Sequence, residues 1–103
     1  MADTASAAAS SRRGSYQADK AQLLIRLRRV AGQVNGIAAM VETERYCPEV
    51  LVQISASVAG LEKVGFLLLR DHVRHCVAED LERGRGDESL DELIATIKRF
   101  AGR

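Results

Sequence analysis

Three residues of this 103-residue chain, Cys47, His72 and Cys76, have the types and spacing to bind a metal ion. The chain has only two cysteines and two histidines, and these three follow one another as C-x24-H-x3-C. Two thiolates and one imidazole form a soft donor set that suits Cu(I) or zinc. Residues four apart lie one turn apart on one helix face, so His72 and Cys76 are predicted to lie together. We therefore favour a ligand set over two buried cysteines and a core histidine.

The distance between Cys47 and Cys76 predicts that the site is shared between chains. Both residues fall in a stretch predicted to be one helix, where 29 residues span roughly 44 Å. One chain cannot close a metal site over that distance, but two antiparallel chains can. The same distance excludes an intrachain disulfide, whose Cα atoms must lie within about 7 Å. A cytosolic protein with reduced thiols is the simplest interpretation.

Other donors and other chemistry are weaker candidates. His75 lies about 60° around the helix from His72, and we interpret it as a surface residue. No His or Cys precedes Cys47. Structural zinc usually takes four protein ligands, although zinc with a bound water stays open. Cys76 and His72 could act as nucleophile and base, but no oxyanion loop or third orienting residue is visible. We expect neither an enzyme nor a small-molecule substrate.

The elements that position these residues are predicted to be helices. A seam of apolar residues at alternating steps of four and three predicts a first helix from about Asp19 to Thr43. Pro48 suits the first turn of a second helix and puts Cys47 at or beside its N-cap. That helix should run to about Leu81, and a short third helix from about Glu88 to Phe100. The two seams consist of Leu23, Leu27, Val30, Val34, Ile37 and Val41, and of Leu51, Ile54, Val58, Leu61, Gly65 and Leu68.

These elements predict an all-α, three-helix protomer: a long antiparallel hairpin plus the short helix. One chain cannot bury both stripes, so two hairpins should form a dimeric four-helix bundle. Gly32 and Gly36 inside the first helix suggest close approach of another backbone, since glycine costs a helix about 1 kcal/mol. Residues 1–17 are predicted to be a disordered basic tail, and residues 18–103 the folded domain. No apolar run approaches the length of a membrane span, and a signal peptide is not expected.

Basic residues concentrate near the start of this nearly neutral chain. Between Arg12 and Arg29 there are six bases and one acid, Asp19, although the whole chain has a formal charge of only +1. This distribution predicts a basic surface, with Arg12 and Arg13 of the tail as possible phosphate contacts.

Several short motifs resemble the copper-sensitive operon repressor family of bacterial metal-sensing regulators. They are R-L-x-R-x-x-G-Q-x-x-G-I from Arg26 to Ile37, Y-C at Tyr46 and Cys47, Q-I-S-A at Gln53 to Ala56, and H-x-x-x-C from His72 to Cys76. The resemblance covers residues 20 to 100. It implies a dimer of dimers that represses transcription in the apo form and leaves operator DNA on binding Cu(I).

The resemblance also implies roles for individual residues. Cys47 of one protomer would bind Cu(I) with His72 and Cys76 of the other, and Tyr46 and Glu92 would form an outer shell linked to the histidine. The positions matching the family's DNA-binding bases are Arg26 and Lys63, and the neighbouring bases that could extend that surface are Arg28, Arg29, Arg70 and Arg74. Nickel or cobalt sensors of the family add an N-terminal ligand, and persulfide sensors lack the histidine. A thiol or persulfide sensor, another metal sensor and a copper buffer that does not bind DNA remain alternatives.

Overall fold

The computed structural model describes Gly14 and residues 16–102, and these residues form three helices and no strand. Helix α1 is Lys20–Glu42, preceded by a 3-10 turn at Gln17–Asp19. Helix α2 is Cys47–Glu82, and helix α3 is Gly86–Ala101. The all-α, three-helix prediction is confirmed. The predicted tail, with Arg12 and Arg13, lies almost entirely outside the described residues.

The described chain divides into two compact units, of which the first is Gln17–Arg70. Within it, α1 and the first part of α2 run antiparallel. The guanidinium of Arg70, the last residue of this unit, lies 3.4 Å from the carboxylate of Asp19, near the first residue of the unit. Midway along, a Cβ on Gly60 would lie 3.0 Å from a methyl carbon of Val30. The predicted antiparallel hairpin is therefore confirmed within this unit.

The seam predicted along α1 faces in two directions. Leu23 and Val30 are buried against the chain itself, whereas Val34 and Val41 are 51% and 60% exposed. Residues seven apart share a helix face, so the two sets form adjacent stripes. Of these two stripes, only the one formed by Leu23 and Val30 is buried within a single chain.

The apolar stripe predicted on α2 is exposed in the single chain, as expected for a stripe that one chain cannot bury; its burial in a dimer stays a prediction. Its first four members, Leu51, Ile54, Val58 and Leu61, are 41–60% exposed, whereas the buried residues of this segment are Ser57 and Val64. The apolar pattern identified a face suited to burial but not the chain that covers it. A Cβ on Gly32 or Gly36 would likewise meet nothing within 4 Å among the described residues. The close backbone approach expected at these glycines does not occur within the chain.

Helix α2 is also unusually apolar on its exterior. It contains an 18-residue window of mean hydropathy 1.4, and only 11% of that window is buried. By length and composition it could cross a membrane, so the expectation that no apolar run reaches such a length was wrong. The same criteria are met by helices that pack in the core of a soluble assembly.

Helices α1 and α2 end in the same hydrogen-bonded motif. After α1, the N–H groups of Glu44 and Arg45 donate to the carbonyls of Val41 and Met40 at 3.0 and 2.9 Å. After α2, Gly84 and Arg85 donate in the same way to Leu81 and Asp80 at 3.3 and 2.8 Å. This is the Schellman arrangement, in which the residue after the C-cap adopts a left-handed backbone. Gly84 has φ +79°, and Glu44 has φ +59°.

These two turns predict opposite effects of substitution. Gly84→Ala should lower the free energy of unfolding by about 1 kcal/mol, because a Cβ disfavours the left-handed backbone. Glu44→Gly relieves that cost at the other turn and should leave stability equal or slightly higher. Thermal unfolding followed by circular dichroism measures both, and a Gly84→Ala protein as stable as wild type would contradict the assignment.

Candidate metal centre

The two predicted ligands on the second half of α2 lie in a π-helical turn. Residues His72–Val77 form this turn, between α-helical residues Cys47–Asp71 and Ala78–Glu82. The prediction of an unbroken α-helix was therefore wrong here. A π turn closes i→i+5 hydrogen bonds and is rare, occurring as a single-turn bulge that often marks a functional site. His72 and Cys76 are both half-buried, while His75 in the same turn is exposed, as expected for a surface residue.

Cys47 is the first residue of α2, beside the N-cap, as the position of Pro48 predicted. The carbonyl of Tyr46 accepts hydrogen bonds from the N–H groups of Glu49 and Val50 at 3.0 and 3.3 Å. An ion pair of 2.8 Å between Arg45 and Glu49 spans this helix start. Cys47 is exposed, and Tyr46 is 72% exposed. The thiol is thus accessible to a group outside its own chain.

The described residues of a single chain do not assemble a metal site. Among residues 14 and 16–102, no group of three or more His, Cys, Asp or Glu side chains could hold a metal ion. His72 and Cys76 provide two soft donors on one turn, fewer than the four protein ligands usual for structural zinc and one fewer than the predicted Cys-His-Cys set. The donor types fit Cu(I), provided that a third ligand comes from elsewhere in an assembly.

Glu92, the predicted outer-shell acid, lies on α3, outside the compact unit Gln17–Arg70. Its exposed side chain lines a surface pocket of about 430 Å³ together with Asp80, Arg85, Glu88 and Ser89. The Asp80 carboxylate is 6% exposed and accepts a hydrogen bond of 2.9 Å from Arg85. Sequence reasoning missed this pair. The only signal was a base five residues after an acid, straddling the Gly84 turn.

The predicted DNA-binding residues are on the surface, and two of them lie together. Arg26 and Arg70 line a pocket of about 270 Å³ in the first unit, with Asp19, Gln22, Leu23 and Leu67. The remaining candidates, Arg28, Arg29, Lys63 and Arg74, are exposed. The position of Asp19 against Arg70 was not foreseen, because 51 residues separate the two in sequence.

Comparison with known proteins identifies the family. Residues 19–99 match the family model described as metal-sensitive transcriptional repressor. The chain is 46% identical over 82 residues to the copper-sensing transcriptional repressor CsoR of Bacillus subtilis (strain 168), covering 80% of this chain and 81% of that protein.

Two solved structures of metal-responsive regulators are similar to this chain in fold and in sequence. The copper-sensing repressor CsoR with Cu(I) from Geobacillus thermodenitrificans NG80-2 has a TM-score of 0.77 and 46% identity, covering 87% of this chain and 92% of that one. The nickel-responsive transcriptional regulator InrS has a TM-score of 0.67 and 37% identity, covering 77% and 89%.

The family match extends over most of the chain and over all three helices. Members of this family are transcriptional repressors, which act on operator DNA and are not enzymes, in agreement with the predictions made from the motifs. The chain belongs to the family of metal-sensitive transcriptional repressors with the CsoR-like, three-helix fold.

Proposed function

We propose that this protein is a cytoplasmic, Cu(I)-responsive repressor that binds its operator in the apo form and leaves it when copper binds. The observation that carries the proposal is the donor set: His72 and Cys76 share one π turn, and Cys47 starts the same helix. The copper-sensing relatives support the choice of metal.

Cys47 of one protomer, with the partner's His72 and Cys76, would hold the ion. Two sulfurs and one nitrogen are sufficient for Cu(I), which binds as a soft Lewis acid. This sharing explains why the described residues of one chain contain no complete metal group. Tyr46 precedes one ligand directly, and we assign it with Glu92 to the outer shell that orients the His72 imidazole.

A dimer would cover the apolar surface left open on the hairpin. Val34 and Val41 of α1 and the stripe of α2 beginning at Leu51 are exposed in the single chain. Joining two hairpins through these stripes gives a four-helix bundle, and a second pairing would give the tetramer.

The operator surface would consist of the bases on the outer faces of the first two helices: Arg26, Arg28, Arg29, Lys63, Arg70 and Arg74. Side chains of this kind contact phosphates and set affinity and register, while groove shape supplies much of the specificity. Binding of Cu(I) then lowers the affinity for operator DNA, and DNA lowers the affinity for Cu(I) by the same factor. A coupling free energy of about 1–3 kcal/mol is typical and corresponds to a roughly 5- to 150-fold loss of operator affinity.

The proposal is tested by anaerobic titration of a labelled duplex carrying the protein's own promoter. Apo protein should bind this duplex in a salt-dependent way, and Cu(I) should weaken binding at least about fivefold. No operator binding at any salt concentration would favour a copper buffer instead.

We predict that Glu92→Gln weakens both Cu(I) binding and copper-driven DNA release while leaving operator binding by the apo protein in place. The variant should keep operator affinity within about twofold and lose Cu(I) affinity by about 10- to 100-fold, because outer-shell partners orient ligands. At saturating copper it should release DNA less completely. Glu88→Gln, which removes an acid from the same pocket, is the matched control and should behave as wild type.

Two alternatives stay within the same fold. A nickel sensor is favoured by the similarity to InrS, and a thiol or persulfide sensor by the presence of two cysteines. Operator release by Ni(II) but not Cu(I) would support the first. An interprotomer di- or polysulfide seen by mass spectrometry, with no tight Cu(I) binding, would support the second.

A further inference from the structure

The pocket that holds Arg26 and Arg70 contains an acid in an unexpected arrangement. Asp19 occupies the N-cap of α1, where its carboxylate would normally accept a hydrogen bond from the first turn. It makes no such bond. Its Oδ2 instead lies 3.4 Å from Nη2 of Arg70.

This ion pair is weak by its geometry. Its N···O distance of 3.4 Å is longer than the roughly 2.7–2.9 Å of a strong charge-assisted hydrogen bond. Both side chains are more than two-fifths exposed, at 45% and 41%. Solvent screening makes such pairs easy to exchange for another anion.

The charges around the pocket favour binding of an anion. Two guanidinium groups and one carboxylate line it, which leaves a formal charge of +1. Asp19 is the only acid between residues 14 and 41, whereas Arg28 and Arg29 continue the basic surface. The pocket volume of about 270 Å³ leaves room for a group larger than a single water. Guanidinium groups bind phosphate through two parallel N–H bonds.

We propose that this pocket is a phosphate-binding subsite for the DNA backbone and that Asp19 is its resident counterion. In the free protein the Asp19 carboxylate is paired with the Arg70 guanidinium. A DNA backbone phosphate must displace this carboxylate to bind Arg70 and Arg26. Asp19 thereby lowers affinity for DNA of any sequence and limits non-specific binding. This inference rests on the proposed DNA-binding function.

The test measures duplex binding by apo wild type, Asp19→Asn, Arg70→Gln and the double variant by fluorescence anisotropy. Asp19→Asn should tighten operator binding about three- to tenfold at low salt, because a surface ion pair accounts for up to about fivefold and several protomers engage DNA. A duplex of unrelated sequence should gain by a similar factor, since phosphate contacts carry no sequence information. Arg70→Gln should weaken both and reduce the salt slope by about one per contact.

The double variant tests whether Asp19 acts through Arg70. In the Arg70→Gln background the gain from Asp19→Asn should largely disappear. Glu42→Gln removes the same charge from the far end of α1 and should give less than a twofold change. Unchanged or weaker DNA binding by Asp19→Asn, or an equal gain in both backgrounds, would overturn the inference.

Copper provides the readout that separates the two proposals. Every variant should bind Cu(I) as wild type does, because the pocket contains none of the proposed ligands. If wild type binds the operator and releases it with copper while Asp19→Asn behaves identically, only this inference fails. If wild type does not bind the operator, the proposed function fails first.

Discussion

His72→Ala should bind the operator as tightly as wild type and no longer leave it when Cu(I) is added. The side chain is half-buried in the π turn, whereas the neighbouring bases of the proposed DNA surface, Arg70 and Arg74, are exposed. Removing the imidazole should therefore leave their contacts with DNA in place. Loss of a ligand should cost Cu(I) affinity more than the roughly 10- to 100-fold lost with an outer-shell partner. The 5- to 150-fold release expected of wild type should then fall below about twofold.

The control for this variant lies in the same turn. His75→Ala removes an exposed imidazole three residues away and should retain copper-driven release. Anaerobic titration of each operator complex, with Cu(I) set by a competing chelator, measures the difference. If His72→Ala releases DNA at wild-type copper concentrations, the imidazole is not a ligand and the proposed mechanism is wrong.

Val58→Asp should convert the proposed oligomer into a folded but inactive monomer. Val58 lies in the exposed stripe of α2 and is 49% exposed in the single chain, so a carboxylate there is hydrated in the monomer. In a two-fold bundle both copies would be buried, at a cost of several kcal/mol each. Since each 1.4 kcal/mol is tenfold, dimerisation should weaken by at least about a thousandfold.

Val52→Asp provides the matched control. Val52 belongs to the same helix, is 64% exposed and lies about 120° around the helix from Val58. The Val52→Asp variant should remain oligomeric. Sedimentation velocity measures the state of both variants, and circular dichroism checks that helix content is kept. An oligomeric Val58→Asp protein that still responds to copper would exclude the stripe as the protomer interface.

The helices could be predicted because their signals are local. Pro48 marks the start of α2 directly, and the steps of four and three along α1 distinguish helix from strand without knowledge of its partner. The same pattern could not assign Leu23 and Val34 to different neighbours. Both are apolar and seven-residue periodicity places them on adjacent stripes, so only the packed chain shows which stripe its own hairpin covers.

The site was predictable in residue type but not in backbone geometry. The cysteines and His72 stand out because each type is rare in this chain. The π turn that contains His72 and Cys76 adds one residue to a helical turn, too small a change for the apolar period to reveal. The contact of Asp19 with Arg70 depends on a chain reversal that brings together residues 51 positions apart, which no local spacing encodes.

The central claim, a metal site shared between protomers, is tested most directly by subunit complementation. Cys47→Ser and the double variant His72→Ala, Cys76→Ser should each lose tight Cu(I) binding alone. Co-expressed with different tags and purified as mixed assemblies, they should regain about one tight site per mixed dimer, because two-fold symmetry pairs the intact Cys47 with the intact His72 and Cys76. Copper stoichiometry against a competing chelator measures this. Mixed assemblies that bind no Cu(I) tightly would contradict the shared site.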